Sequence, residues 1–441
     1  MRVSSLVHVA TMAVLVGQAV PPGFGQATAH SGQFQVNSFT TDSQYRPAIA
    51  LDAQGRMVAV WQSLGAEIGD PDGSVQGQRY SAAGVAQGTQ FQVNSATLST
   101  QARPDVAQFP NGEFVVVWDS LSSPGTDSSG WSVQGQRFNA DGSPLGTEFQ
   151  VNTHSTGSQR SPRVAAGAAG EFVVVWQSQG SGADDTNGYS VQGQRYSGTG
   201  APQGGEFQVN ALTAIDQLRP SVAVEPGGNF WVVFRTNAAA GGDPDGSIQA
   251  RFYNASGVPS EAQELTLNSS MNGSQQNPRI AAHSDGNFLA VWESFDSAGT
   301  DADLSIQAFY LSATGEPLGD EFQVNTFTTG DQTRPLVAAY DGGFVVSWQS
   351  QLFAGPDQTT NIRATQVGLG GDFAVNTLTA GEQQFSGIAA DQRGNFVVVW
   401  NSMGSVGTDD SSYSIQAQLF DALFRDGFEW NASGRWSLTV P

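Results

Sequence analysis

Two sets of side chains in this 441-residue sequence recur at fixed offsets and have the chemistry to bind something. The first is acidic. Nine positions after the aromatic residue of each FVVVW-like run stands an aspartate: Asp70, Asp127, Asp185, Asp243, Asp301, Asp357 and Asp409. Several have a second carboxylate close by, at Asp72, Asp184, Asp245, Asp303 and Asp410. Gly-Asp-Pro-Asp-Gly, at 69–73 and again at 242–246, offers hard oxygens at alternate positions, the donor type that calcium takes. None of these segments has the full EF-hand spacing or its closing Glu. The competing role is an Asx turn, in which the carboxylate accepts backbone N–H groups and holds a long loop.

The second set is basic. Arg46, Arg103, Arg219 and Arg334 each follow a Gln by two positions and precede a Pro. A ring of guanidinium groups at a channel mouth grips a carboxylate ligand well, because the planar fork donates two parallel hydrogen bonds. Alternatively, each arginine pairs with carboxylates or carbonyls of its own repeat and serves the scaffold. Other catalytic sets are thin. Apart from the N-terminal segment, histidines stand only at His30, His154 and His283, in different repeats, which favours neither a zinc site nor a Ser-His-Asp triad. The abundant aspartates leave a carboxylate pair for glycoside hydrolysis open, but no pair stands out from the repeat.

The elements that position these residues are strands. From Arg103 to Asn152 the chain reads RPDVA, a turn, FVVVWDS, a polar loop, SVQGQRF, a Gly-rich turn and EFQVN. These are four strand-length apolar or β-branched runs, A to D, separated by Gly, Pro, Asn and Asp. The FQVN tetrad begins at Phe34, Phe91, Phe149, Phe207 and Phe322, with variants at Leu265 and Phe373, so its steps are 57, 58, 58, 58, 57 and 51 residues. A fixed period near this length with strand-only content predicts a β-propeller. Strands A, B and C each occur seven times. The first FQVN precedes the first A strand, and no FQVN follows the last C strand. Seven complete blades therefore require the N-terminal FQVN to complete the last blade and clasp the ring, which also hides the edge strands.

The fold expected is all-β: a seven-bladed propeller of four antiparallel strands per blade over residues 30–420, with A innermost. Strand C carries a small residue in every copy (Gly77, Gly135, Gly193, Ala250, Ala308, Ala364, Ala417), predicted to seat a neighbouring large aromatic of strand B (Trp61, Trp118, Trp176, Phe234, Trp292, Trp348 or Trp400). The B–C and D–A connections are long and polar and emerge on one face, the face with recognition potential. Residues 1–29 read as a secretory signal peptide. Arg2 opens it, Leu6–Val20 is its apolar centre, and Ala27-Thr28-Ala29 supplies a small-x-small cleavage site. An apolar run of about 15 residues is short of the roughly 20 that span a bilayer. Residues 421–441 leave the repeat and form a separate tail.

Composition narrows the partners. There are 40 Asp and Glu against 18 basic residues, all arginine, and the net charge of −22 repels nucleic acid and anionic membranes. There is no cysteine, which excludes disulfides and thiolate chemistry. The pattern EFQVN, Q-x-RP-x-VA, G-x-FVVVW-x-S, SVQGQR-F/Y resembles the tandem units of large, mostly uncharacterised secreted or surface-associated bacterial proteins. The tail Asp421–Pro441 resembles the F-x-D-G-F-E…W-S endings of exported bacterial proteins. The loop Thr126–Trp131 is similar to a sialidase Asp-box, but it joins strands B and C, where an Asp-box joins C and D. The resulting expectation is a monomeric, secreted, cell-surface or periplasmic binding module for an extracellular glycan or protein. The alternatives are a glycoside hydrolase or lyase at the same face, and a structural surface component.

Overall fold

The computed structural model describes residues 27–30, 32–65, 72–97, 99–121, 125–127, 129–180, 188–213, 215–237, 245–260, 264–270, 273–295, 303–351, 360–409, 412–421, 428–430 and 436–438. It is a seven-bladed β-propeller, and no helix occurs among those residues. Blade 1 is Gln44–Leu51 (A), Met57–Ser63 (B), Ser74–Tyr80 (C) and Ala86–Gln92 (D). Blades 2 to 6 repeat the order, their A strands beginning at Gln101, Gln159, Gln217, Gln275 and Asp331. Blade 7 has A, B and C at Gln383–Ala390, Phe396–Met403 and Tyr413–Asp421. A separate two-stranded pair, Phe428–Trp430 with Trp436–Leu438, forms in the tail.

The clasp is present. Phe34 pairs with Ala417 and Gln35 with Gln416, so the N-terminal FQVN is strand D of blade 7. Val36 N–H donates to Ile415 O at 2.7 Å, continuing the ladder. Thr28 and Ala29, at the expected cleavage site, pair with Asp421 and Phe420.

Strand B lies between two neighbours within its sheet and is covered on both faces by adjacent blades. Such a strand must be a continuous apolar run. Phe114–Ser120 is accordingly buried throughout, and Trp61, Trp118, Trp176, Phe234, Trp292, Trp348 and Trp400 have no exposed surface. The small residue of strand C serves a different aromatic from the strand-B Trp. Gly77, Gly135 and Gly193 pair directly with Phe91, Phe149 and Phe207 of strand D in their own blades. A Cβ at these glycines would lie 2.7, 2.7 and 2.6 Å from the Phe Cζ, so the ring lies on the bare glycine.

The remaining FQVN positions are also structural. Its Asn side chain stands in for a main-chain partner of strand C. Asn94 Oδ1 accepts from Val75 N–H at 2.8 Å, Asn152 from Val133 at 2.8 Å and Asn37 from Ile415 at 2.7 Å, and the other four blades repeat the contact. The residue just before FQVN latches its blade to the previous one. Glu148 accepts from Ser95 N–H (2.7 Å), Glu206 from Thr153 N–H (2.6 Å) and Glu321 from Ser269 N–H (2.6 Å). Gln33 accepts from Thr377 N–H at 3.0 Å, which brings the same latch to the seam of the ring.

Candidate functional site: an arginine-lined axial cavity

Strand A positions the candidate site through a β-bulge that recurs in every blade. In blade 1, Tyr45 pairs with Gln62 and Ala48 with Val60, so Arg46 and Pro47 together oppose Trp61 alone. Two residues against one swing the bulged strand and re-aim its side chains. The first bulge residue is left-handed in all seven copies: Arg46 (φ 49°), Arg103 (50°), Ser161 (57°), Arg219 (54°), Asn277 (51°), Arg334 (53°) and Phe385 (48°). Non-glycine residues adopt this region at a cost, and repeated use of it marks a position held by its surroundings. In six copies the second bulge residue is proline, which has no N–H to leave unpaired.

The buried Gln two positions earlier holds the bulge in register. Gln44 Oε1 accepts from Trp61 Nε1 at 3.0 Å while its Nε2 donates to Thr41 O at 3.2 Å, tying strand B to the D–A loop. The same Trp–Gln bond recurs at Trp292–Gln275, Trp348–Gln332 and Trp400–Gln383.

All seven bulge residues line one axial cavity of about 910 Å³. They lie on the long-loop side. The A–B turns surround a smaller axial cavity, of about 320 Å³, at the other end. Arg163 and Arg279, two positions further along their strands, add a second layer. Six of the chain's 18 basic residues thus face one space, against two carboxylates among the described residues of its lining, Asp105 and Glu293. The opposite cavity is acidic, lined by Asp52, Glu225, Asp341 and Asp391 with His283. Asp52, Glu225 and Asp391 are spent on their own turns: each accepts a backbone N–H four residues on, from Arg56, Asn229 and Asn395.

The four arginines singled out by sequence come together in the large cavity but differ in their partners. Arg103 donates to Asp119 Oδ2 at 2.7 Å, on strand B of its own blade, as the scaffold reading expects. Asp119 is fully buried and also accepts from Ser161 N–H at 2.7 Å, with Arg160 at 3.7 Å. Arg160 stacks over Trp131, 4.4 Å from the ring centroid. Arg219 reaches Gln276 and Asn277 of the next blade at 3.1 and 2.6 Å. Arg46 and Arg334 both stack on Phe385, at 5.4 and 4.0 Å from its centroid, and neither forms an ion pair among the described residues.

Burial, and then the neighbouring charge of Arg103, lowers the pKa of the Arg46 guanidinium to about 10; Asp119 opposes this, while Arg334 and Arg160 add to it. Burial also lowers Arg334 and, joined by Arg163, Arg279. Arginine keeps its proton at ordinary pH, so these shifts register removal from water first and neighbouring arginines second. Burial pushes the Asp105 and Asp119 carboxyls up, against the pull of Arg163 and Arg103 respectively.

The acidic loops divide. Asp70, Asp185, Asp243, Asp301 and Asp357 lie outside the described residues. Asp127 and Asp409 are fully buried, and Asp127 holds its own turn. Asp127 Oδ1 accepts from Ser129 N–H (3.2 Å) and Oδ2 from Asn152 Nδ2 (2.9 Å), while Asp409 Oδ2 accepts from Asn37 Nδ2 (2.9 Å). The Asn of FQVN thus ties a B–C loop to strand C. Asp245 Oδ2 accepts from Gly273 N–H at 3.3 Å, and the main-chain oxygen of Asp72 from Thr100 Oγ1 at 3.1 Å. Asp303 is described and stands just before strand C of blade 5. No group of three or more metal-ligating side chains forms among the described residues.

No family model matches the chain, and no curated protein does. Solved structures match it in fold. A protein of unknown function from Dyadobacter fermentans aligns at TM-score 0.52 and 10 % identity, over 90 % of this chain and 99 % of that one. A family 25 polysaccharide lyase, an ulvan lyase bound to -[GlcA(1-4)Rha3S]-, aligns at TM-score 0.52 and 10 % identity over 88 % and 96 %. A fungal alcohol oxidase of the AA5 family, in complex with copper, gives 0.51 and 11 % over 90 % and 76 %. At these identities the likeness is one of propeller architecture.

Proposed function

We propose that this protein is an exported, non-catalytic binding module that recognises an extracellular glycan at the long-loop end of its axis. The observation that carries the reading is the cavity of about 910 Å³, within the size range of small-ligand sites. Its walls are rich in amides and hydroxyls, among them Gln177, Gln276, Gln349, Asn277 and Thr333, groups that match sugar hydroxyls. The seven-fold bulge gives these groups a rigid frame. A propeller of the same architecture, the ulvan lyase, holds a saccharide. The secretory leader at 1–29 supports export, and loop aspartates such as Asp70 with Asp72 and Asp243 with Asp245 supply the donors for a loop-ordering calcium ion.

A glycan array probed with the full chain, with and without calcium, tests this reading. Retention of a defined set of glycans is expected; a blank array contradicts it. The second reading is a lyase or hydrolase in the same cavity. It draws on Asp105, a partly buried carboxyl of raised pKa in the lining, 3.7 Å from Arg163, an arrangement common at catalytic sites. Release of new reducing ends from array-positive glycans would favour it.

A further inference from the structure

We infer that Arg46, Phe385 and Arg334 form a subsite for an anionic group, so that the glycan bound here is an acidic one, bearing carboxylate or sulfate. This rests on the glycan-binding reading above and names the class of glycan. Blade 7 breaks the repeat: where other A strands carry Arg-Pro, Ser-Pro or Asn-Pro, it carries Phe385-Ser386. The phenyl ring therefore occupies the bulge position between Arg334 of blade 6 and Arg46 of blade 1, and both guanidiniums stack on it, at 4.0 and 5.4 Å. A stacked guanidinium has its face on the ring and its N–H edge free to donate, in the geometry that takes a carboxylate or sulfate two bonds at a time.

Among the described residues, no carboxylate forms an ion pair with either member of the pair. Asp119 is engaged by Arg103 at 2.7 Å. Glu293 accepts from Asn277 Nδ2 and from the main-chain N–H of Arg334, both at 2.7 Å, so it acts on the Arg334 guanidinium through its charge and not as a direct hydrogen-bond partner. Two cations beside one ring, Arg46 half-buried and Arg334 exposed, with Arg103 close by, are stabilised by an incoming anion.

The chain's net charge of −22 opposes a polyanion at long range. However, the Debye length of about 8 Å at physiological salt confines each surface charge to its neighbourhood, so the local arginines decide. An acidic peptide offers the same anionic groups. The amide-lined wall favours a hydroxylated ligand over an extended main chain.

The test is calorimetric titration of the full chain with trigalacturonate, a sulfated galactan oligomer, cellotriose and a short polyglutamate. Binding of the galacturonate or the sulfated oligomer is expected, and which of the two identifies the anion. The double variant R46Q/R334Q should weaken that binding by at least about tenfold, the loss of a charge-assisted bidentate contact. Should the double variant unfold on heating much earlier than wild type, R46K/R334K keeps the charge and removes the fork, and weakening is again expected. Equal binding of cellotriose, unchanged in the variants, would overturn the acidic subsite and leave the glycan reading standing. Binding of no saccharide would overturn both. Tighter binding of polyglutamate than of any sugar would overturn the glycan class.

Discussion

At the scale of single residues, the buried polar groups of this propeller divide into those that finish a backbone ladder and those that face the axis. Asp127 belongs to the first kind. Both its carboxylate oxygens accept bonds from the chain, so Asp127→Ala removes the bonds to Ser129 N–H and Asn152 Nδ2, while Asn152 keeps His154 O and Gln159 Oε1, and should cost about 0.5–1.5 kcal/mol in chemical denaturation. A null effect would remove the turn-forming role. Asp105 belongs to the second kind, and its pKa is raised by burial. A carboxyl raised in the folded state contributes stability below its unfolded pKa, and that contribution is lost as pH rises through the folded value. The unfolding free energy of Asp105→Asn should therefore change less than wild type over the range just above pH 4; identical pH profiles would contradict the shift. The four arginines were readable from the Gln-x-Arg-Pro spacing. Their left-handed backbone was not, because glycine is the residue type that signals positive φ, and here six side-chain-bearing neighbours of proline and one phenylalanine adopt it instead.

At the scale of the element, the bulge in strand A is the feature that turns a scaffold strand into a site. Ser161 has φ 57° and keeps its N–H bond to Asp119 through the main chain alone. Ser161→Gly should thus be neutral or stabilising by up to about 1 kcal/mol, since the left-handed penalty and the glycine entropy cost are of similar size. Ser161→Val should destabilise by about 1–3 kcal/mol, and equal melting temperatures for the two would refute the strain. In strand C, Gly135→Val places a Cβ against Phe149 and should cost about 1–3 kcal/mol by overpacking. Strand identity was legible because apolar runs and turn residues alternate with a fixed period. The partner of the small residue was not. Sequence supplied the size match but not the register across the C–D turn, and that register sets Gly135 beside Phe149 instead of beside a strand-B Trp.

At the scale of the whole molecule, ring closure and the axial charge pattern go together. Seven blades closed by the N-terminal strand bring Arg334, Phe385 and Arg46, some 340 residues apart at the extremes of the chain, into the same cavity. Blade number and clasp were readable by counting repeats at the two ends. The guanidinium ring at the channel mouth was readable from the Arg-Pro repeat as well; the second arginine layer at Arg163 and Arg279 and the carboxylates at the opposite end of the axis were not, because they depend on the bulge and turn geometry common to all blades. A chain shortened to begin at Ser38 loses strand D of blade 7 and the Gln33 latch, and should melt earlier and less cooperatively than the full chain. The most direct measurement is a crystal structure of the full chain with bound trigalacturonate. The account predicts sugar in the axial cavity with a carboxylate against the Arg46 and Arg334 guanidiniums; sugar bound on a blade flank or at the A–B turns, with that cavity empty, would contradict it.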